Sequence, residues 1–147
     1  MISMENDMRL FIDTWGWVTI HNKREPRHKE VKRFYDDFRN QRGIAYSMDY
    51  VLDETFTLLF KRLPSLHVRE SMERLDEAIQ KGYLQLEWIT AERFEQAKRL
   101  RLKFQDKPQI SFTDLTSMVV MKDLHITDIL TGDTHFVQVG MGFVTVP

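Results

Sequence analysis

Four acidic residues have the types and positions best suited to chemistry in this chain: Asp13, Glu54, Asp114 and Asp133. Asp13 ends the apolar run Leu10–Ile12, and Asp133 follows the apolar pair Ile129–Leu130. Four carboxylates gathered in one place repel one another and raise each other's pKa, and a divalent cation removes that cost. Hard oxygen ligands suit Mg²⁺ or Mn²⁺, and such ions promote the hydrolysis of phosphodiesters. The sequence therefore predicts a metal-dependent nuclease.

Three of these acids also have a purely structural interpretation. Asp13 is placed to cap a helix that begins after it. Asp114 lies three residues after Ser111, which is the spacing of a capping box. Asp133 follows Gly132 and fits an ordinary turn. Taken singly, each acid is explained best by its structural role, so the hypothesis of a metal site rests on the four acids together.

Glu54 is harder to explain structurally. The segment Asp49–Leu63 carries apolar residues in most directions around its predicted helix axis, so we expect this helix to be largely buried. A charge there is costly unless it is paired or bound to a metal. Consecutive side chains on a helix point about 100° apart, so Asp53 and Glu54 are not expected to reach the same ion. We predict Glu54 as the ligand, and an ion pair with Lys61 or Arg62 is the alternative for either acid.

Alternating strands and helices are expected to position these acids. Strands are predicted at Arg9–Asp13, Ile44–Ser47, Leu84–Ile89, Asp128–Thr131 and Phe143–Val146. Helices are predicted at Trp15–His21, His28–Arg42, Asp49–Leu63, Ser65–Lys81, Phe112–Leu124 and from a Thr90 cap to about Phe104. Gly43 and Gly82 are predicted to end the second and fourth helices. The alternation predicts an α/β fold, a three-layer α/β/α sandwich with a central, mostly parallel sheet. The site of such a sheet lies beyond the carboxyl ends of its strands, where Asp13 and Asp133 fall.

Composition limits the class of protein. A chain of 147 residues with 42% hydrophobic content is predicted to form one domain over residues 9–147, preceded by a flexible tail at 1–8. The sequence has no cysteine, which excludes disulfides and thiolate ligands. The first residues lack the pattern of a secretory signal, and no apolar run has the length of a membrane span. We therefore expect a cytoplasmic protein that does not bind membranes.

Charge is unevenly distributed although the net charge is −1. Basic residues are concentrated between Lys23 and Arg33 and again between Arg93 and Lys107. Either group alone is best interpreted as a solvated helix face. Beside an acidic metal site, however, they are suited to hold a phosphate backbone. The candidate RNA contacts are Lys23, Arg24 and Arg27.

Four segments, in this order and at these separations, resemble PIN-domain ribonucleases, and most of all the small single-domain toxins of VapC type. They are Phe11-Ile12-Asp13-Thr14, Asp49-Tyr50-Val51-Leu52-Asp53-Glu54-Thr55, Ser111-Phe112-Thr113-Asp114 and Thr131-Gly132-Asp133-Thr134-His135-Phe136. The resemblance covers the chain from about Arg9 to Val146. It implies a three-layer fold, Mg²⁺ or Mn²⁺ as cofactor, RNA as substrate, and products with a 5′-phosphate and a 3′-hydroxyl. It also implies a homodimer and a small antitoxin, encoded beside the toxin, as inhibitor.

The resemblance also assigns roles to residues. Asp13, Glu54 and Asp114 match the core acids of the family, and Asp133 matches its fourth, more variable acid. Four further residues are predicted to support the site: Thr14, Ser111, Thr113 and His135. The hydroxyl of Thr14 would steady the acids, and His135 would orient a phosphate or a water, or alternatively make a structural hydrogen bond. The chain departs from the family at Trp15-Gly16-Trp17, which is bulkier than expected and is predicted either to stack on bases or to join the core.

Other classes fit less well. A phosphoacceptor receiver domain needs paired acids after its first strand, where this chain has Asp13 alone. A phosphatase of the haloacid dehalogenase type needs a second Asp at the position of Trp15. Two alternatives stay open within the resemblance, a PIN nuclease of RNA maturation and a non-catalytic RNA-binding PIN domain. The apolar helices Asp49–Leu63 and Ser65–Lys81 predict an exposed apolar patch and, through it, a two-fold homodimer.

Overall fold

The structure, a computed structural model, describes residues 8–147. The predicted tail therefore lies, except for Met8, outside the described residues. Met8 already takes part in the sheet, because its carbonyl accepts a hydrogen bond of 2.9 Å from the amide of Ile44.

Five parallel strands within residues 8–147 form one sheet in the order β3-β2-β1-β4-β5. They are β1 (Arg9–Ile12), β2 (Ile44–Met48), β3 (Leu84–Glu87), β4 (Asp128–Leu130) and β5 (Val144–Val146). The central strand is apolar on both sides, as a strand covered on both faces must be, and Leu10, Phe11 and Ile12 are at most 1% exposed. The core of the domain is built around this strand.

Within the described part of the chain, seven helices connect the strands. They are α1 (Thr14–His21), α2 (His28–Asn40), α3 (Asp49–Arg62), α4 (Ser65–Lys81), α5 (Ala91–Lys103), α6 (Phe112–Leu124) and α7 (His135–Gln138). The sequence carries clear signals for several of their ends. The side chain of Thr90 caps α5 and that of Ser111 caps α6, while Gly82 ends α4 in the left-handed conformation at φ 86°. No helix within residues 8–147 combines the length and the apolar composition needed to cross a membrane.

The strand order creates one reversal of direction. From β1 the chain moves outward to β2 and β3, and then returns across the sheet to β4 and β5 on the other side. Because parallel crossovers are right-handed, the helices of the two halves lie on opposite faces of the sheet. The predicted three-layer α/β/α fold is confirmed. The carboxyl ends of β1 and β4 meet at the reversal, which is where sheets of this kind bind their ligands.

Two predicted boundaries differ from the structure by two residues, and both differences have local reasons. Helix α2 ends at Asn40, and the residue in the left-handed conformation is Arg42 (φ 64°) rather than Gly43. Gly43 instead packs against Phe38, whose ring atoms would lie 2.4 Å from an added Cβ. Strand β3 ends at Glu87 rather than at Ile89, because the carboxylate of Asp49 accepts the Ile89 amide at 3.0 Å and removes it from strand pairing.

The prediction that α3 is largely buried is wrong. Its buried side chains are Val51, Leu52, Thr55 and Leu59, which form a single face. Phe60 is 51% exposed, and Glu54 also faces solvent. The helix is apolar by composition, yet only one face of it meets the neighbouring elements, and an exposed apolar side chain is common at protein surfaces.

Candidate active site

Asp13 lies at the carboxyl end of β1 and begins α1. Its carboxylate accepts the Gly16 amide at 2.9 Å, so the predicted helix cap is confirmed. The same side chain is only 6% exposed, and burial raises its pKa to about 7, with a further contribution from the charges of Asp114 and Asp133. The Gly16 amide and the Thr131 hydroxyl oppose this increase by stabilising the ionised form. The capping role and membership of the acidic cluster therefore coexist in one residue.

Gly16 brings the start of α1 close to the sheet. A Cβ at this position would lie 2.7 Å from the carbonyl oxygen of Leu130 and 2.8 Å from Cγ2 of Ile12. A larger residue would push α1 away from the ends of β1 and β4. Because Gly16 has no side chain, α1 can pack close to the sheet. Its cap residue, Asp13, therefore lies at the reversal of the sheet.

Asp114 approaches from the first turn of α6. Its amide donates to the Ser111 hydroxyl at 3.0 Å, and its carboxylate is hydrogen-bonded in turn to the Ser111 amide, which completes the predicted capping box. Burial raises the pKa of Asp114, and the charge of Asp133 raises it further, while His135 acts in the opposite direction. The local cap fixes where this carboxylate can point.

Asp133 and His135 follow β4 and complete the cluster. The Asp133 amide donates to the Thr131 hydroxyl at 3.0 Å, and Oδ1 of Asp133 accepts the His135 amide at 2.9 Å. Nδ1 of His135 lies 2.9 Å from Oδ2 of Asp133 and 3.2 Å from Oδ2 of Asp114. One potential ligand atom from each of these three residues lies within 4.8 Å of the other two, an arrangement that is able to hold a metal ion.

Glu54 faces the same cleft from α3 but does not belong to that close group. Its Oε1 accepts the hydroxyl of Thr14 at 2.7 Å, so the residue predicted to support the acids does contact one of them. Glu54 is exposed rather than buried, and within residues 8–147 neither it nor Asp53 forms the alternative ion pair with Lys61 or Arg62. Arg62 pairs instead with Glu25 at 3.8 Å.

An open cleft of about 380 Å³ joins these residues. Its walls include all four predicted acids and all four predicted supporting residues. Trp15 lines the cleft, whereas Trp17 belongs to the core and donates its indole N–H to Ser47 at 3.1 Å. The sequence predicted that these tryptophans either stack on bases or join the core. Trp17 joins the core, and of the two only Trp15 is placed to touch a substrate.

The three predicted RNA contacts lie beside the cleft rather than in it. Lys23 and Arg24 are exposed and line a neighbouring hollow that also contains Arg74. Arg27 is engaged by two hydrogen bonds to Glu30, at 2.8 and 3.1 Å, and its guanidinium lies 5.3 Å from the ring centre of Trp15. Arg27 is thus less available for a phosphate than its two neighbours.

Sequence reasoning missed one residue of the site, Thr131, and one feature of the predicted residue His135. Thr131 contacts both Asp13 and the Asp133 amide, and its sequence signal was a hydroxyl residue at the end of the predicted strand Asp128–Thr131, two residues before the acid. The simultaneous contact of His135 with two acids had no sequence signal, because it depends on the four-residue helix α7. A helix of one turn is too short to produce a periodic pattern.

Comparison with known proteins assigns the family. The model of the PIN domain matches residues 10–141, which is most of the chain. The chain belongs to the PIN domain family. It is also similar to the 23S rRNA-specific endonuclease VapC20 of Mycobacterium tuberculosis, from the strains CDC 1551 / Oshkosh and ATCC 25618 / H37Rv. The identity to each is 29% over 132 residues, 89% of this chain and 94% of the relative.

A solved structure supports the same relationship. The crystal structure of VapC20, described as a sarcin-ricin loop cleaving toxin, matches this PIN domain with a TM-score of 0.76 at 29% identity. The match covers 93% of this chain and 98% of the VapC20 chain. The predicted resemblance to PIN-domain ribonucleases of VapC type is confirmed.

The raised pKa of Asp13 predicts how the stability of the metal-free protein depends on pH. The ordinary pKa is 3.8 and the folded value is about 7, so between these values the folded state binds more protons than the unfolded state. The free energy of unfolding should therefore fall as pH rises from about 4 to 7. Asn at this position still caps α1. We expect Asp13→Asn to gain stability over the wild type progressively across this window.

Urea unfolding with chelator present measures this difference at each pH. A difference that stays constant from about pH 4 to 7 would show that Asp13 does not titrate in this range.

Proposed function

We propose that this PIN domain is a metal-dependent endoribonuclease and the toxin of a toxin–antitoxin pair. The observation that carries the proposal is the convergence of Asp114, Asp133 and His135, with the buried Asp13 beside them, at the reversal of the sheet. The acids are held there although the pKa values of Asp13 and Asp114 are raised by burial and by neighbouring charge. Such an arrangement is stabilised when a cation is present.

The donor set fits a hard divalent cation. Carboxylate oxygens are the ligands that suit both Mg²⁺ and Mn²⁺. We assign Asp13, Asp114 and Asp133 as ligands on one side of the cleft and Glu54 as a ligand from the opposite side. His135, hydrogen-bonded to two of the acids, fixes their orientation, a role that typically affects metal affinity by about 10- to 100-fold.

The chain's own groups then have separate tasks in hydrolysis. A bound cation would lower the pKa of a coordinated water and offset the charge of the scissile phosphate. The four carboxylates would hold the cation in place, and Thr14 orients Glu54 through its hydroxyl. Trp15 offers a flat apolar surface in the cleft on which a base can stack. No side chain has to act as a nucleophile, since water attacks phosphorus and the 3′ oxygen leaves.

Ribosomal RNA is the substrate that we propose to test first. The relative VapC20 is described as specific for 23S rRNA, and this chain shares its fold over nearly its whole length. Purified protein is incubated with ribosomes and Mn²⁺, and the RNA ends are mapped by primer extension. A discrete cut in 23S rRNA with a 5′-phosphate supports the proposal. If ribosomal RNA stays intact and a small RNA is cut instead, the nuclease chemistry stands and the substrate is another RNA.

The role as a toxin can be tested separately from the cleavage of RNA. A short reading frame beside this gene, encoding a DNA-binding segment followed by an apolar tail, would favour a toxin with its antitoxin. A gene for an RNA-processing factor in its place would favour an enzyme of RNA maturation. The cytoplasmic location that both roles require stays a prediction.

We also propose a homodimer that uses the turn between α3 and α4. Phe60 and Leu66 flank this turn and are 51% and 61% exposed, an amount of apolar surface that is better covered by a second copy. Sedimentation at micromolar concentration should give a dimer. Phe60→Ser combined with Leu66→Ser should shift the protein to a monomer, whereas Leu102→Ser, at a residue 68% exposed on α5, should not. A wild-type monomer under these conditions would contradict the interface.

A further inference from the structure

One strong cation faces the catalytic cleft. Among the described residues that line it, Arg62 is the one lysine or arginine, against five acids. A polyanion entering such a cleft meets unfavourable charge except at the bound metal and at this guanidinium. Arg62 is therefore the residue of the cleft lining best suited to contact a phosphate.

Arg62 is carried by the same helix face as Glu54. Residues 54, 58 and 62 are spaced by four and lie above one another on α3, and all three line the cleft. At a rise of 1.5 Å per residue, the Cα atom of Arg62 lies about 12 Å along the helix axis from the Cα atom of Glu54. Arg62 is therefore offset along α3 from the acids that would hold the metal, a position that suits a neighbouring phosphate of the same strand.

The guanidinium has a weakly held partner in the free protein. Its contact with Glu25 spans 3.8 Å, and 48% of the Arg62 side chain is exposed, so the pair is weak and easily exchanged. Glu25 itself is fixed. Its amide donates to the carbonyl of the buried Asn22 at 3.1 Å, and its carboxylate accepts the Asn22 side-chain amide at 3.5 Å. Glu25 is thus held beside Arg62 but does not engage all five N–H donors of the guanidinium.

We propose that Arg62 binds the backbone phosphate next to the scissile one, and that Glu25 is the counter-ion which this phosphate replaces. The inference rests on the proposed ribonuclease function and assigns the group that positions the strand. A guanidinium suits this role because it binds two phosphate oxygens at once and stays charged. Glu25 keeps the cleft from binding single anions tightly, since a ligand must displace it.

Binding is tested with a labelled single-stranded oligoribonucleotide in an Asp114→Asn background, which prevents cleavage. Arg62→Ala should weaken binding about tenfold, the value of one charge-assisted hydrogen bond. The salt dependence should lose about 0.7 from its slope, which corresponds to one phosphate contact on a single strand. Arg62→Lys keeps the charge and should retain most of the slope while losing part of the affinity.

The neighbouring Lys61 provides a matched control. It is exposed on the same helix, it is absent from the cleft lining, and Lys61→Ala removes the same charge. Glu25→Gln should strengthen binding several-fold, and this gain should disappear when Arg62→Ala is also present. Equal effects of Arg62→Ala and Lys61→Ala, or a gain from Glu25→Gln that persists without Arg62, would overturn the proposal.

Failure of the inference is distinguishable from failure of the proposed function. If the wild-type protein cleaves RNA and Arg62→Ala behaves like Lys61→Ala in both binding and cleavage, the function stands and the assignment of Arg62 is wrong. If the wild type never cleaves RNA with Mn²⁺ although Arg62→Ala weakens binding, the catalytic function is wrong and the phosphate contact remains.

Discussion

Asp114→Asn is expected to abolish Mn²⁺-dependent RNA cleavage while the fold is retained. The substitution removes one charge from the group formed with Asp133 and His135 and leaves the shape of the side chain unchanged. Loss of a group that stabilises charge in the transition state lowers kcat by at least about 100-fold. Initial rates of RNA cleavage at saturating Mn²⁺ measure the effect, and undiminished cleavage by the purified variant would remove Asp114 from the site.

The stability of this variant separates catalysis from folding. The cap of α6 should survive, because the Ser111 hydroxyl accepts the amide of residue 114 and the side-chain oxygen of Asn can still accept the Ser111 amide. Burial and Asp133 raise the pKa of Asp114, which means that its charge destabilises the metal-free protein. Asp114→Asn should therefore melt at the same temperature as the wild type or higher. Asp76→Asn, the same change at an exposed position of α4, should alter neither activity nor melting.

Glu54→Gln is expected to lose most of the activity, and Asp53→Asn to keep it. Glu54 lines the cleft with the other three acids and accepts the Thr14 hydroxyl, whereas Asp53 is outside that lining. Both residues are exposed on α3, so neither change should disturb folding. The two variants form a matched pair, because each removes one negative charge from α3. The measurement is kcat/KM for RNA cleavage by each variant. Full activity of Glu54→Gln with loss in Asp53→Asn would place the other face of α3 at the site.

Thr14→Val tests how Glu54 is held. The variant should lose less activity than Glu54→Gln, because it removes a hydrogen bond to the carboxylate and not the carboxylate itself. Such supporting contacts typically contribute about 10- to 100-fold. If Thr14→Val were more damaging than Glu54→Gln, the hydroxyl would have a role of its own at the substrate.

The fold was predictable because its signals are local. Helix α6 occupies Phe112–Leu124, as predicted, since Ser111 caps its start and an apolar pattern continues to its end. The meeting of Asp13 and Asp133 followed from chain order and from the general geometry of parallel sheets. Neither inference required knowledge of which side chains touch.

The remaining features depend on tertiary contacts that leave no local pattern. Glu54 was predicted as a ligand partly because its helix was expected to be buried. That expectation was wrong, since only one face of the helix is buried. The contact of His135 with two acids depends on the path of the chain after β4. The pair Arg62–Glu25 joins residues 37 positions apart and replaces the local ion pairs that spacing alone suggested. In each case, the partner is chosen by packing between elements.

A single titration tests the central claim most directly. Metal-free protein is mixed with labelled RNA, and Mn²⁺ binding and RNA cleavage are followed in the same sample as Mn²⁺ is added. The carboxylate site predicts that cleavage is absent in chelator, appears with metal occupancy, and stays absent in Asp114→Asn at every Mn²⁺ concentration. Full cleavage in chelator, or cleavage that rises with Mn²⁺ in Asp114→Asn as it does in the wild type, would contradict the account.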